Sequence, residues 1–464
     1  MDSDFVEEDQ PTNGGFRQIL QRKDFMKLWV GQSVSNIGSS ISNIALLFFA
    51  FDIGQTASAM AGLAIVQVLP LIIFSGMIGV YVDRWDRKRI MIAADVIRAA
   101  TMFVMPFVVF FPSFLPPLYW LYLVAFIYST VNAFFFPARS AAIPSLVEKD
   151  ELVTANSLSQ MTFQLISLIV TPVGGVIVAI VRPDYFPAFL IDSISFILSA
   201  IAIISISASL APPKIVARDE SFIREIIEGG RMIRESGLVT SIIMFFTILM
   251  FGGGMVNALI IPFMEGEIFL NEIQLSLIFS ASAVTGIAGA AWLGRKARIG
   301  KPLYMIAASM TLAGGVILSI SLITTFPEAI LLFSMIGLVN VTLGVPANAL
   351  LQEIIDGEKL GRVYSFESIL TNTSQVLGMA LSGVWADTAG SSRPPLFTGG
   401  LFILLVGILG AAFIRRNRLH DDIDQIREEL SEKQTIDLAA SKDQSSEEIV
   451  EIADASDDNL FMQE

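Results

Sequence analysis

The sequence predicts an all-α integral membrane protein whose twelve membrane-spanning helices form two six-helix bundles. Three observations support this prediction. The chain of 464 residues is 53% hydrophobic and only 16% charged, its mean hydropathy is +0.66, and long apolar runs recur along its whole length. Charged residues make up about a quarter of an average soluble domain, so this composition excludes one or two water-soluble globules. A lipid bilayer is therefore the predicted surroundings of most of the chain.

A helix needs about 20 mainly apolar residues to cross the hydrocarbon core of a bilayer. Runs of that length predict spans at residues 28–51, 59–81, 90–111, 117–136, 157–181, 187–209, 238–262, 273–293, 302–323, 328–346, 363–386 and 396–414. The loops on the side of the N-terminus contain 24 Lys and Arg, whereas the opposite loops contain two, Arg182 and Arg393. Because cytoplasmic loops are enriched in Lys and Arg, both termini are predicted to lie in the cytoplasm, with the chain in the inner or plasma membrane.

The longest loop divides the predicted helices into six and six. It covers residues 211–237 and separates an N-terminal bundle, residues 24–210, from a C-terminal bundle, residues 238–416. Its apolar residues recur at helical spacing, which indicates either an amphipathic helix at the membrane surface or a solvated linker helix. Pro137-Ala138 is expected to follow the fourth helix and Pro346-Ala347 the tenth. Such an internal repeat is typical of secondary transporters with a central site.

Acidic residues concentrate at the two ends of the chain. A short cytoplasmic segment, residues 1–23, precedes the first bundle, and residues 417–464 form an acidic tail predicted to be disordered. The neutral body between them argues against nucleic acid as a partner. The chain has no cysteine and a single histidine, His420. Thiol catalysis and ordinary zinc or haem sites are therefore excluded, and neither a metal nor a cofactor is expected.

The most specific motif follows the second predicted helix and reads Gly79-Val-Tyr-Val-Asp83-Arg84-Trp85-Asp86-Arg87-Lys88-Arg89. It resembles the Gly-x-x-x-Asp-Arg-x-Gly-Arg-Lys/Arg signature of the major facilitator superfamily, and the helix count, central loop and topology of the chain agree with that family. The resemblance implies that Asp83 and Arg87 help to latch the two halves together on the cytoplasmic side. Asp86 departs from the signature, so a different turn is expected there. The simpler alternative is that the bases only fix the topology.

Ionisable residues at membrane depth are costly and are therefore candidates for a function. Asp95 and Arg98 share one face of the third helix and are expected to couple protons or, preferably, to form a buried pair that braces the motif. Asp192 has no partner nearby in the sequence. It is expected either to exchange protons, as a proton-coupled carrier requires, or to accept hydrogen bonds from neighbouring serines. Asp52 lies near a helix end and is expected to be solvated or to cap the helix.

The fifth helix contains Thr171-Pro172-Val-Gly174-Gly175, which is similar in part to the Gly-Pro-x-x-Gly-Gly element of antiporters in the superfamily. A proline followed by paired glycines predicts a bent, smooth surface on which another helix can pack closely. Since the first, fourth, seventh and tenth helices line the cavity in this superfamily, the resemblance implies a substrate cavity with Asn36, Asn43, Asn132, Phe135, Met255, Asn257 and Asn340. Neutral amides with aromatic and methionine surface suit a bulky amphiphile better than a sugar or a multivalent anion. Taken alone, each asparagine more often forms a hydrogen bond between packed helices than a contact to a ligand.

Two further stretches narrow the resemblance: PARSAAIPSLVEKDELVTANSLSQ after the fourth helix and FLIDSISFILSA in the sixth. They resemble the branch of the superfamily that contains macrolide-efflux proteins and the enterobactin exporter. The resemblance implies a monomeric multidrug exporter that is not an enzyme and that exchanges a hydrophobic or amphiphilic small molecule for protons by alternating access. Two alternatives stay open. One is export of a siderophore or another endogenous metabolite, and the other is a transport-inactive membrane sensor or scaffold that uses the acidic tail.

Overall fold

The computed structural model describes residues 18–148, 151–211, 228, 230–231, 233–234, 236–294, 301–355 and 357–416. The first half consists of the long helices α1 (Lys23–Gly54), α2 (Ala57–Arg84), α3 (Arg87–Val104), α4 (Pro117–Ala142), α5 (Leu152–Val181) and α6 (Phe186–Ile204). The second half consists of α7 (Gly237–Gly266), α8 (Glu272–Gly294), α9 (Pro302–Ile320), α10 (Phe326–Ile354), α11 (Gly357–Ala389) and α12 (Arg393–Arg416). The acidic tail and most of the predicted amphipathic helix in the central loop lie outside the described residues.

The predicted all-helical membrane fold is confirmed. Within the described residues, eleven helices are long and apolar enough to cross a membrane. The remaining long helix is α11, which contains the predicted span 363–386. Its interior carries Glu367, Thr371, Asn372 and Ser374 in close succession, and these polar side chains lower its hydropathy. Hydropathy alone therefore does not identify α11 as a membrane-spanning helix. Its polar residues lie in a helix that packs against α2 and α7.

Several helices differ in length from the apolar runs that predicted them. The helix α1 has 32 residues, or about 48 Å at 1.5 Å per residue, whereas the hydrocarbon core is about 30 Å thick. The expectation that Pro137 and Pro346 follow the ends of helices is wrong, because both lie inside helices, in α4 and α10. The third predicted span is split: α3 ends at Val104, and a 3-10 segment, Met105–Phe110, follows it. Pro106 lacks the amide hydrogen that an α-helix would need there.

Helix packing repeats between the two halves. In the first half α1 packs against α5 and α6, α3 packs against α4 and α6, and α2 packs against α4. In the second half α7 packs against α11 and α12, α9 packs against α10 and α12, and α8 packs against α10. Every pair in the second half is thus a pair of the first half displaced by six helices. This correspondence is what two bundles related by an internal repeat should show.

Two pairs of helices form most of the contact between the halves: α2 packs against α11, and α5 packs against α8. The contact is concentrated at one end of the molecule. We call the end that carries the motif after α2 and the last turn of α12 the basic end, and the end that carries the α1–α2 and α7–α8 turns the opposite end. Toward the opposite end, buried residues of both halves, among them Phe48, Phe189, Phe263 and Leu396, form a single hydrophobic core.

At the basic end the hydrophobic core is divided. One cluster there contains only residues of the first half, including Phe25, Met91 and Phe135. A second cluster contains residues of the central connection and the second half, including Ile233 and Leu303. Among the described residues, packed hydrophobic surface therefore seals the two halves against each other at the opposite end, whereas at the basic end each half has a hydrophobic cluster of its own.

Candidate functional site

Arg182, the residue after α5, joins the two halves at the opposite end. Its Nε donates to Asp52 Oδ2 at 3.0 Å, its Nη2 lies 2.8 Å from Glu265 Oε1, and its Nη1 lies 2.5 Å from Glu272 Oε1. Asp52 belongs to the last turn of α1, Glu265 ends α7 and Glu272 begins α8. One guanidinium group thus bridges carboxylates from both halves. We call Arg182, Asp52, Glu265 and Glu272 the ion cluster.

The ion cluster is shielded from solvent. The side chain of Arg182 is 26% exposed and that of Glu272 is 13% exposed. Burial lowers the pKa of the Arg182 guanidinium, but hydrogen bonds to Asp52, Glu272 and Glu265 outweigh this effect and raise the pKa. Tyr185 donates its hydroxyl hydrogen to Asp52, and burial together with this bond raises the pKa of the phenol. Arg182 and Tyr185 therefore keep their protons over the physiological pH range, and both remain donors.

The sequence-based expectation for Asp52 is wrong, because its carboxylate is paired with Arg182 and neither solvated nor a cap. Sequence reasoning also misses Glu265 and Glu272, which lie at helix ends where acids are common. The available signal is Arg182 itself. It is one of two bases in the loops of the opposite end, and the other one, Arg393, is also paired, with its Nε 3.2 Å from Glu267 Oε2. A Lys or Arg in the loops of the opposite end, where bases are rare, thus indicates an ion pair with a nearby carboxylate.

Asp387 forms a second polar contact between the halves at the opposite end. Its carboxylate accepts from the backbone amides of Ala57 and Ser58, at 2.9 and 3.1 Å. These amides open α2, where the first N–H groups of a helix have no partner within the helix. Close to it, Gly383 lets α11 approach α2, because an added Cβ would lie 2.5 Å from Ala61 Cβ and 3.1 Å from Ser58 Cα. The second half therefore caps a helix of the first half.

The glycines of the fifth helix lie at two different packing surfaces. Gly174 faces α1, where an added Cβ would lie 3.2 Å from Ile41 Cα. Gly175 faces the second half: an added Cβ would overlap Ser276 Oγ of α8 and lie 2.8 Å from the backbone oxygen of Glu272. Thr171 and Pro172 lie inside α5, one turn earlier. This glycine pair thus combines a contact within the first half with the α5–α8 contact between the halves.

Asp192 in α6 is fully buried and accepts hydrogen bonds from serines. Ser39 Oγ lies 3.2 Å and Ser195 Oγ 3.1 Å from Asp192 Oδ1, and Ser42 donates to Oδ2. Gly38 makes room for this arrangement, because an added Cβ would lie 2.7 Å from Asp192 Oδ1. The carboxylate therefore has serine partners on α1 as well as on its own helix. The hydrogen-bond donors to this carboxylate in the described part of the chain are serine hydroxyl groups. Hydrogen bonding to serines is one of the two alternatives that the sequence left open.

Asp95 and Arg98 form a buried ion pair inside the first half. Arg98 Nη1 donates to Asn132 Oδ1 at 3.2 Å, and its guanidinium carbon lies 3.9 Å from the ring centroid of Phe135 and 4.4 Å from that of Phe196. Contacts of this kind between a cation and an aromatic face are attractive. The pair thus ties α3 to α4 and α6.

The motif after α2 forms a tight turn between α2 and α3. Asp86 is the N-cap of α3 and accepts from the backbone amide of Lys88 at 2.9 Å, which is the physical consequence of its departure from glycine. Lys88 Nζ donates to the backbone oxygen of Ile206 at 2.7 Å, whereas Arg84 and Arg89 are exposed. Arg87 Nε is buried and has no hydrogen-bond partner in the described part of the chain. Of the predicted latch, Gly79 and Asp83 belong to the last turns of α2, and the Asp83 side chain is not among the described ones.

The sequence model of the Major Facilitator Superfamily matches residues 28–366 and 243–441 of the chain. The chain belongs to this superfamily. It is 29% identical over 388 residues to macrolide efflux protein A of Streptococcus pyogenes, covering 82% of this chain and 94% of that protein. It is 23% identical over 340 residues to the enterobactin exporter EntS of Escherichia coli O1:K1 / APEC, covering 71% of this chain and 77% of that protein.

Solved structures support the same fold. The nucleoside transporter NupG matches with a TM-score of 0.68 at 11% identity, covering 84% of this chain and 99% of that chain. A bacterial homologue of the iron transporter ferroportin in an inward-facing state matches with a TM-score of 0.64 at 15% identity, covering 84% and 98%. The resemblance to the major facilitator superfamily that the sequence motifs indicate is thereby confirmed, and the chain is a multi-pass transporter that takes small-molecule substrates.

The seven residues expected in the cavity of this superfamily member occupy different surroundings. Asn43, Asn257 and Asn340 are exposed in the middle of α1, α7 and α10, and Asn36 is half-buried beside a small cavity. Asn132 bonds to Arg98, as described above. Phe135 and Met255 differ from the expectation, because they are 2% and 3% exposed. Phe135 packs beneath Arg98, and Met255 packs against Gly399 of α12, with the sulfur 3.4 Å from an ideal Cβ at that glycine. Both belong to bundle interiors in this conformation.

Within the described ranges, no three side chains of His, Cys, Asp or Glu are placed to hold a metal ion. The carboxylates that the structure does bring together serve another purpose. In the ion cluster they surround a guanidinium group, and Asp192 is surrounded by hydroxyl groups. The chemistry that this arrangement offers is the making and breaking of ion pairs and the binding of protons, both of which suit a transporter that changes conformation.

Proposed function

We propose that this chain exports a hydrophobic or amphiphilic small molecule by alternating access, in exchange for protons. In this proposal the basic end faces the cytoplasm, since 24 of the 26 bases in loops and flanking segments lie on that side. The cell membrane is then its location, and the single chain is the transporting unit. The proposal for the substrate class rests on the macrolide efflux proteins among its relatives.

One observation carries the proposal of alternating access. The two halves share a hydrophobic core at the opposite end and have separate cores at the basic end. A carrier that is sealed on one side and divided on the other can admit substrate from the divided side only. With the basic end in the cytoplasm, this is the state in which an exporter takes up its substrate, and rocking of the two halves would then open the opposite end.

A proton gradient can supply the free energy for this cycle. One elementary charge that crosses the membrane provides about 2.3 kcal/mol per 100 mV. Asp192 is the proposed proton carrier because it is fully buried and has only hydroxyl partners, so protonation removes a charge without leaving a cation unpaired. Asp95 is less suited, because it already neutralises Arg98.

Replacing Asp192 with asparagine tests the assignment of the proton carrier. We expect Asp192→Asn to fold, because an amide can take the place of the carboxyl group among the serines, and to lose at least tenfold in efflux driven by a pH gradient. Exchange of labelled for unlabelled substrate without a gradient should persist. The measurement is transport in proteoliposomes, with Asp184→Asn as a control because Asp184 is an exposed aspartate outside the buried network. Full gradient-driven efflux in Asp192→Asn would show that another group carries the proton.

Proteoliposomes that contain the full chain test the proposed function itself. We expect an imposed pH gradient to drive efflux of at least one compound from a panel of macrolides and other amphiphiles. A catechol siderophore belongs in the panel, because the enterobactin exporter is among the relatives and export of an endogenous metabolite is the second candidate. If the imposed pH gradient drove no more efflux than from empty vesicles, for every compound, the proposal would be contradicted.

The acidic tail separates an exporter from a sensor or scaffold. Residues 421–464 carry fifteen acids and three bases, and such composition favours a solvated segment. We expect a chain that ends at residue 420 to keep most of its efflux activity, within about a factor of two. If this truncation left the protein in the membrane but abolished a cellular response while efflux was absent in both forms, the scaffold alternative would be correct.

A further inference from the structure

Arg139 is a cation near the basic end of α4 that neither the ion cluster nor the buried network of the first half uses. Its side chain is half-buried, and its guanidinium carbon lies 5.7 Å from the ring centroid of Phe136. Within the described part of the chain it makes no hydrogen bond or ion pair. A half-buried cation without a partner at membrane depth is costly, which favours a role in binding an anion.

The carboxylates closest to Arg139 in the sequence are already occupied. Glu148 and Glu151 follow α4, and both bind Arg22, with Arg22 Nε 3.0 Å from Glu151 Oε2. These two hydrogen-bonded carboxylates raise the pKa of Arg22. Arg139 is therefore not the partner of these two acids, and no ion pair with a carboxylate compensates its positive charge in the described part of the chain.

Arg139 faces a small cavity between α1, α4 and α5. The cavity measures about 20 Å³, which is enough for one polar group the size of a water molecule. Its polar lining is neutral apart from Arg139 and consists of Gln32, Ser33, Asn36, Ser159 and Thr162. Apolar side chains, Phe25, Leu28 and Trp29 of α1, border the same space. A cation, amides and an apolar wall thus meet in the half that is open at the basic end.

The hydroxyl groups in this cavity do not neutralise Arg139. Thr162 donates to the backbone oxygen of Leu158 at 2.7 Å and accepts from Trp29 Nε1 at 3.1 Å. Ser159 donates to the backbone oxygen of Ala155 at 2.9 Å. Ser159 and Thr162 thus use their donors within α5, whereas the guanidinium group offers donors only and still needs an acceptor.

We propose that Arg139 binds an anionic group of the transported molecule, so that the substrate class is an amphiphile with a carboxylate, sulfonate, phosphate or ionised phenol. This inference rests on the proposed export function. Among its candidate substrates it favours the catechol siderophore and other anionic amphiphiles over macrolides, which carry a basic amine. The guanidinium donates to one oxygen of the anion in the cavity, and the side chains of Phe25, Leu28 and Trp29 contact the neighbouring apolar part. Binding occurs in the conformation that is open at the basic end.

Two fluorescent amphiphiles that differ in one charged group test this inference. The probes are 1-anilinonaphthalene-8-sulfonate and the uncharged N-phenyl-1-naphthylamine, and their binding to the full chain in lipid nanodiscs is measured against empty nanodiscs. Arg139→Gln removes the charge, Arg139→Lys keeps it, and Arg416→Gln removes an exposed charge elsewhere at the basic end. We expect Arg139→Gln to weaken sulfonate binding about 10- to 100-fold. Arg139→Lys should lose less, and Arg416→Gln should bind as the unaltered chain does.

The uncharged probe separates loss of the anion site from loss of the fold. Its affinity should stay within about twofold in every variant if the inference is correct. Equal affinity of the unaltered chain for both probes, or a sulfonate affinity that Arg139→Gln leaves unchanged, would overturn it, as would a parallel loss for both probes in Arg139→Gln and Arg139→Lys. Because this is equilibrium binding, a chain that binds the sulfonate through Arg139 but transports nothing would contradict the proposed function and leave the anion site standing.

Discussion

Replacing Arg182 with glutamine is expected to open the opposite end of the molecule and to reduce transport about 100-fold. The substitution leaves Asp52, Glu265 and Glu272 close together with no cation, so the attraction between the halves becomes a repulsion. Removing one partner of a buried ion pair costs about 3–5 kcal/mol. Because a quarter of the Arg182 side chain is exposed, we take the lower limit of about 3 kcal/mol, which corresponds to about a 100-fold shift between closed and open states.

The absence of cysteine from the chain makes this shift directly measurable. Cysteines introduced at the exposed positions Phe114 and Leu322, one in each half near the opposite end, can carry a pair of fluorophores. We expect their separation to increase in Arg182→Gln and to return in part when Glu272→Gln relieves the repulsion. Arg415→Gln is the control, because it removes an exposed charge at the basic end. An unchanged separation in Arg182→Gln, with normal transport, would show that the ion cluster does not hold the opposite end closed.

Replacing Gly175 with alanine is expected to have an effect of similar size through a steric mechanism. The new Cβ would overlap Ser276 Oγ and would also lie 2.8 Å from the backbone oxygen of Glu272, which cannot rotate away. The helices α5 and α8 must therefore separate, and inserted bulk in a close-packed contact costs about 1–3 kcal/mol or more. In the proposed cycle the α5–α8 contact forms only when the opposite end closes, so the closed state should lose about tenfold to 100-fold in population.

Efflux from proteoliposomes and the Phe114–Leu322 separation measure this second effect as well. The control is Gly253→Ala in α7, because an added Cβ there meets no atom within 4 Å. Combining Gly175→Ala with Ser276→Gly should restore part of the activity, since the side-chain overlap disappears while the backbone contact stays. Equal efflux for Gly175→Ala and Gly253→Ala would mean that α5 and α8 do not close together during transport.

The sequence predicts the helices better than it predicts their ends. Apolarity reports the length of chain inside the hydrocarbon, whereas a helix continues as long as its backbone hydrogen bonds do. The predicted fourth span therefore stops before Pro137, although α4 continues to Ala142. Hydropathy also fails for α11, whose interior is polar. This helix packs against α2 and α7, and its own sequence does not reveal these neighbours.

A site could be predicted from the sequence when its partner residues lie close together along the chain. Asp95 and Arg98 are three residues apart, so helical spacing is sufficient to predict their pair. Asp192 binds Ser39 and Ser42 from a helix 150 residues earlier in the chain, and only the fold brings these together. The ion cluster is less predictable still, because Arg182 and its partners Glu265 and Glu272 lie in different halves of the chain. Contacts between the two halves leave no periodic pattern in the sequence.

Paired distance measurements at both ends of the same molecule test the alternating closure of the two halves. One fluorophore pair at the exposed positions Phe114 and Leu322 reports the opposite end, and another at Arg89 and Arg416 reports the basic end. During gradient-driven efflux we expect the two separations to change in opposite directions, so that the basic end shortens whenever the opposite end lengthens. If both separations stayed constant during efflux, or rose and fell together, the two halves would not alternate and the proposed mechanism would be wrong.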